Sequence, residues 1–229
     1  MGDARQKSPI SWDKSTPGAR DRAVATLASR QLRLITSSQL QRTGVSRNAI
    51  HNAARRGRLH RIHHGVYVTH PPPFSRNQRW LAAVLACGSE AALSHEPAAM
   101  LQGFLDAGSL IPHVTVSGGR GRSRSGIVVH RGAVDPRDYR RVDSIPCTSA
   151  DRVLIDLAPT RDEAELERLL VAAESLGLVK RGRLTALVEE RRGHPGIARL
   201  ASILALEPAL ARSDLEALFI PIWHLAGVP

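Results

Sequence analysis

From Arg22 to Ser89 the chain carries eleven arginines and not one lysine, aspartate or glutamate. Such a segment cannot satisfy its charge by pairing with itself. Its arginines must stay in water or meet an anion, because an unpaired buried cation is strongly destabilising. This restricts the fold to short elements with one apolar face inward and every guanidinium outward. The rest of the chain is electrically balanced: of 32 Lys and Arg residues, the 21 outside this segment equal the 21 Asp and Glu. The formal net charge of +11 therefore belongs to one place. A single-sign block of this length points to a polyanionic partner.

Within the block, apolar residues fall first at helical and then at strand spacing. Val24, Leu27, Ala28 and Gln31–Leu32 mark a first amphipathic helix. Ser37 and Ser38 are N-cap types ahead of a short second helix carrying Leu40. Thr43-Gly44-Val45 is a tight turn in which Gly44 suits a positive φ. Ser46 caps a third helix, Arg47 to Arg56, with Ile50, Ala53 and Ala54 inward, and Gly57 ends it. Leu59, Ile62, Val66 and Val68 then read as extended chain, with Gly65 at a turn. Helix, short helix, glycine turn, helix and β-wing is the order of a winged helix-turn-helix.

In that geometry the third helix enters the major groove. Its exposed side chains would be Arg47, Asn48, His51, Asn52 and Arg55. Arg reads guanine through two parallel donors and Asn reads adenine through its amide. Arg42, Arg56, Arg58 and Arg61 are better placed for phosphates, which add affinity without sequence information. The block is poor in aromatics, with Tyr67 within it and Trp80 beside it, which favours duplex DNA over stacked single strands. His60, His63 and His64 suggest a metal site only superficially. On a strand His60 and His64 share one face while His63 points away, and no Cys or acid stands nearby. No metal and no cofactor are expected.

Pro71-Pro72-Pro73 breaks the chain, and residues 74–205 read as a second, α+β domain. A helix is expected over about Gln78 to Cys87. Ser94 is placed to cap a helix containing Pro97. His113–Val116 and Ile127–His130 alternate like strands and flank a Gly- and Arg-rich segment, read as the loop of a β-hairpin. The Arg120–Arg124 part of that loop is open to two roles, phosphate contact or a solvated turn. Arg152 and Asp156 lie four apart on a helix and can pair. Thr160 to Glu163 reads as a capping box opening a helix with Leu166, Leu169, Leu170, Ala173 and Leu176 on one face. Leu184, Leu187 and Val188 continue the pattern in a further helix.

Two unclustered cysteines, Cys87 and Cys147, argue against a disulfide framework and fit a reducing cytoplasm. A Cys147 nucleophile served by His130 or His95 can be imagined, but a lone cysteine beside a proline turn more often packs. No apolar run reaches the roughly 20 residues that span a bilayer, and the start of the chain lacks the apolar centre of a signal peptide. Residues 1–21 read as a disordered tail or an over-extended start.

Several of these pieces occur together in one family. The order is the winged helix-turn-helix, Ser94-His95-Glu96-Pro97-Ala98-Ala99, His113–Val116, Gly126–Arg131, and Ile145–Ser149 followed by Arg152–Ala158. It resembles the AbiEi-type antitoxins of type IV toxin–antitoxin systems in their actinobacterial form, over roughly residues 22–205. The resemblance implies a transcriptional repressor of its own promoter with double-stranded DNA as partner. It also implies a nucleotidyltransferase toxin as functional partner where an operon pairs the two. A homodimer is a further partner to consider, and the sequence itself leaves the oligomeric state open. Relatives of this form often continue into a domain similar to very-short-patch-repair (Vsr) endonucleases with a PD-(D/E)XK core. Residues 211–229 resemble its opening helix, whereas the carboxylate-bearing hairpin that would hold Mg²⁺ does not follow. The expectation is an α+β protein: an N-terminal winged helix-turn-helix over 22–70, a mixed middle region with a β-hairpin, and a helical C-terminal region. Its expected function is that of a cytoplasmic, non-enzymatic DNA-binding regulator. The alternative is the DNA-binding front of a Vsr-like endonuclease truncated before its catalytic part.

Overall fold

The structure, a computed structural model, describes residues 18–118, 124–132 and 134–205. The readings placed on the N-terminal tail before residue 18, on most of the Arg120–Arg124 loop and on the nuclease-like segment 211–229 lie outside these residues. The chain is α+β and divides into two compact units, Met1–Leu157 and Ala158–Pro229. The division falls inside the stretch 74–205 read above as one domain.

The first unit opens with α1 (Ala19–Ser29), β1 (Leu34–Thr36), α2 (Ser37–Arg42), α3 (Arg47–Arg55), β2 (His60–His63) and β3 (Val66–Val68). α1 starts inside the expected tail and buries Asp21, Val24 and Ala28. The strands form an antiparallel sheet in the order β1-β3-β2, with Tyr67 opposite both Ile35 and Arg61. Val24, Ile35, Leu40, Val45, Ile50, Ala53 and Leu59 fill one apolar core, drawn from α1, β1, α2, α3 and the turns between elements, with Tyr67 of β3 packed against it. The cap of α2 is Thr36 rather than Ser37 or Ser38. Its hydroxyl accepts from Gln39 N, and the Gln39 side chain accepts from Thr36 N at 2.9 Å. That box needs Gln or Glu three residues on, which Thr36 has in Gln39 and Ser38 also has in Gln41, and the helix starts from the earlier of the two. Ser46 caps α3 as expected, and Gly44, Gly57 and Gly65 hold φ of 85°, 67° and 74°.

α4 (Arg76–Cys87) follows the prolines. Its Gln78 side chain donates to the Leu32 carbonyl at 2.9 Å and stands 2.7 Å from His70 Nε2. Leu32 and Arg33 both sit at positive φ, an uncommon conformation for side chains of that size, and the Gln78 bond fixes this turn. Next come β4 (Ala91–Leu93), α5 (His95–Gln102), β5 (His113–Val116), β6 (Val128–Arg131), β7 (Tyr139–Val142), β8 (Ile145–Thr148) and α6 (Ala150–Leu157). The five strands form one sheet in the order β6-β5-β4-β8-β7.

The expected hairpin between His113 and His130 is not there: β5 and β6 run parallel, His113 facing Val128 and Val116 facing Arg131. The Gly- and Arg-rich segment carries the chain back along the strand instead of turning it over, which its length permits. The hairpin of this region is β7–β8, closed by Asp143 and Ser144 at positive φ. α6 is buried throughout, including Asp151, Arg152 and Asp156.

The second unit contains α7 (Glu163–Ser175), α8 (Arg181–Glu190) and α9 (Ile197–Ala205). Asp162, not Thr160, caps α7, in a box with Glu165. Leu166, Leu169, Leu170 and Ala173 are buried with Leu184, Leu187 and Val188, whereas Leu176 lies past the helix end and is exposed. Gly196 permits a close approach: a Cβ there would stand 2.4 Å from the Ala158 carbonyl carbon.

Candidate nucleic-acid interface

α3 is held by two features, the Ser46 cap and the burial of Ile50 and Ala53. Anchoring that one face leaves the opposite face to solvent. All nine residues expected to meet DNA are exposed: Arg42, Arg47, Asn48, His51, Asn52, Arg55, Arg56, Arg58 and Arg61. Arg47, His51 and Arg55 follow at intervals of four and form one row along the helix. Asn48 and Asn52 form the neighbouring row.

The structure groups these residues differently from the division into base readers and phosphate binders. A concavity of about 520 Å³ opens beside α3, and Arg47, His51 and Arg55 line it together with Arg61, His64 and Tyr67. Arg61 therefore shares a surface with the α3 row. His64 belongs to the histidines read as polar wing residues near phosphate, whereas Tyr67 was not expected at such a site. Its signal was available in the turn at Gly65, which folds β3 back beside β2. Asn48, Asn52, Arg56 and Arg58 are exposed but do not line the concavity, and Arg42 closes α2 on its own.

Arg124, the described residue of the Arg120–Arg124 segment, stands close to the basic block. It hydrogen-bonds the Cys87 thiol and lies near His63. Burial pushes the Cys87 thiol up, with Arg124 opposing. Burial lowers the pKa of His63, and the Arg124 charge lowers it further.

Metal-ligand side chains converge elsewhere. Among the described residues, His95, His113 and His130 bring one ligand atom each to within 4.8 Å of one another. The His60, His63 and His64 cluster does not come together in this way. His95 stacks on His130 with centroids 3.7 Å apart, and His130 Nε2 lies 3.1 Å from His113 Nδ1. Ser94, expected to cap α5, instead has its hydroxyl 3.0 Å from His95 Nδ1 and makes no capping bond. Cys147 is fully buried, and burial pushes its thiol up to about 11. A nucleophilic cysteine needs the thiolate near neutral pH, so this one packs.

Residues 22–70 match the family described as transcriptional regulator, AbiEi antitoxin. The match supports the AbiEi family. No curated protein matches the chain. The AbiEi match spans the three-stranded sheet, α3 and the concavity, and it supports a DNA-binding regulator in general terms. Among the described residues no helix is long and apolar enough to cross a membrane.

Proposed function

We propose that the chain is a repressor that binds operator DNA in its own promoter through residues 22–70, used as a winged helix-turn-helix. The observation that carries this reading is the surface of α3. Its outward rows hold Arg, Asn and His alone, in a block without acids up to Ser89 apart from Asp21 just ahead of it. α3 would lie in the major groove, with Arg47 and Asn48 at its exposed start contacting base edges. Arg42, Arg56 and Arg58 would hold phosphates on either side. β2 and β3 would act as the wing, with Arg61 facing the same groove as the α3 row. On this reading the protein is a regulator and not an enzyme. The toxin it counteracts, where one is paired with it, is a nucleotidyltransferase, as the AbiEi family implies.

The test is binding of the full chain to duplexes from its own upstream region and to random duplexes of equal length. Expected is a preference for one upstream site, with log affinity falling linearly in log salt. Equal affinity for all duplexes at every salt concentration would reduce the reading to non-specific binding.

A further inference from the structure

The central sheet builds a site that the DNA-binding reading does not use. His113 opens β5, and His130 lies on β6 opposite Thr115, two residues along from His113. Side chains two apart on a strand share a face, so the parallel register puts both imidazoles on the same side of the sheet. The third comes from the chain leaving β4. Ser94 N donates to the His113 carbonyl at 2.9 Å, which brings the next residue, His95, over that face. His95 takes a φ of +55°, which L side chains rarely adopt. Strain of that kind persists where the surroundings over-determine a residue's position. Here the Ser94 hydroxyl holds the ring and stacking on His130 completes the placement.

We propose that His95, His113 and His130 form a binding site for a divalent transition-metal ion, zinc first, with the fourth position left to water. Three imidazoles with neither thiolate nor carboxylate among them suit zinc, nickel, cobalt or copper rather than magnesium or calcium. All three rings are half-buried, and burial lowers the pKa of each, that of His95 and of His130 to about 4. Neutral imidazole is the form that ligates. Arg152 and Asp156 are the charged side chains whose fields act on the cluster, Arg152 on His95 and Asp156 on His130. Tetrahedral ligation at 2.0–2.1 Å requires nitrogens roughly 3.4 Å apart. The 3.1 Å between His113 Nδ1 and His130 Nε2 is already close to that, and because no two of the ligand atoms stand more than 4.8 Å apart, at most about 1.4 Å of closure is needed. The movement required is for His95 to turn off the face of His130. A neutral, hydrogen-bonded stack without affinity for metal is the competing account.

The full chain, stripped with chelator and dialysed, is titrated with Zn²⁺ by calorimetry and with Co²⁺ by visible absorption. Expected is one equivalent of tight binding, with the d–d bands of a low-coordinate cobalt site. His130→Gln and His95→Gln should each weaken it by more than the roughly 10–100-fold that loss of an outer-shell partner costs. His63→Gln combined with His64→Gln should leave it unchanged. Melting curves of the metal-free variants report whether each still folds. X-ray absorption on the unmodified zinc protein provides a readout without variants, and three imidazole nitrogens at about 2.0–2.1 Å are expected. No binding of either metal, binding that survives His130→Gln, or a spectrum with fewer imidazoles would overturn the site in favour of the neutral stack.

Discussion

The basic block and the central sheet handle charge in opposite ways. Around α3 the arginines stand outside an apolar core and have no acid in their own segment to pair with. In the central sheet charge is taken inside. Arg152 lies 2.7 Å from Asp156 and 3.5 Å from Asp138, and all three side chains are at least nine-tenths buried. Burial alone disfavours the Arg152 charge, and the two carboxylates more than restore it. The difference teaches where each kind of substitution should be felt. An exposed arginine can be removed at little cost to folding but at a cost to binding. A buried one is part of what keeps the sheet and α6 together.

The sharpest way to break this comparison is Arg152→Ala. It leaves two buried carboxylates facing each other, and losing one partner of a buried pair typically costs about 3–5 kcal/mol. Denaturant unfolding should show a loss of that order, while DNA affinity under folding conditions stays near the parent value. A stability change below about 1 kcal/mol would mean that water reaches the pair and that the contrast is false. Arg47→Ala should do the reverse. It should lose about 1–3 kcal/mol on the preferred duplex, and stability should stay within about 0.5 kcal/mol, as for exposed positions generally. Equal losses on preferred and random DNA would remove Arg47 from base recognition.

Arg61→Ala sharpens the picture inside the basic block. Because Arg61 lines the same concavity as Arg47, its loss should erode preference for the specific site. Loss of Arg58 should weaken all duplexes alike and lower the salt slope by about one. Identical profiles for the two variants would return Arg61 to the phosphate group. The smallest effect concerns the cysteines. At pH 8 alkylation of the native protein should reach Cys87 before Cys147, whose thiol stays protonated up to about 11. The folded value lies above the unfolded 9.0. Cys147 therefore favours the folded state fully below pH 9, and that contribution is lost as pH rises from 9 towards 11. Labelling of both cysteines at one rate would show that the sheet opens locally.

Much of the basic block was legible because its signals are local. Ser46, Gly44, Gly57 and the Ile50–Ala53 spacing each act within one turn of chain, and the structure keeps all of them. α2 was placed correctly but its cap by one residue wrongly, since Thr36, Ser37 and Ser38 are all capping types and both Thr36 and Ser38 have a Gln three residues on, Gln39 and Gln41. The sheet was less legible. Val114 and Val116 alternate with His113 and Thr115 whether the neighbouring strand is parallel or antiparallel, so alternation could not tell a hairpin from a return crossover. The histidine cluster was missed for the same reason. His60, His63 and His64 attract attention by adjacency, whereas His95, His113 and His130 meet only through strand register and a left-handed residue that no local pattern announces.

β4 has a consequence for the order in which the protein is made. Its three residues are fully buried, with β5 on one edge and β8 on the other. β8 is Ile145–Thr148, far downstream of Ala91–Leu93. On the ribosome the three strands of the basic block can pair once Val68 has emerged, because all of their pairing partners precede that residue, and α4 with Gln78 follows soon after to fix the turn before β1. β4 must wait, with an apolar edge open, through the whole synthesis of α5, β5, β6 and β7. The nascent chain thus passes through a stage in which the three strands of its basic block are paired and its centre is an unclosed edge. Slow translation before residue 145 would prolong the exposure of that edge to neighbouring chains.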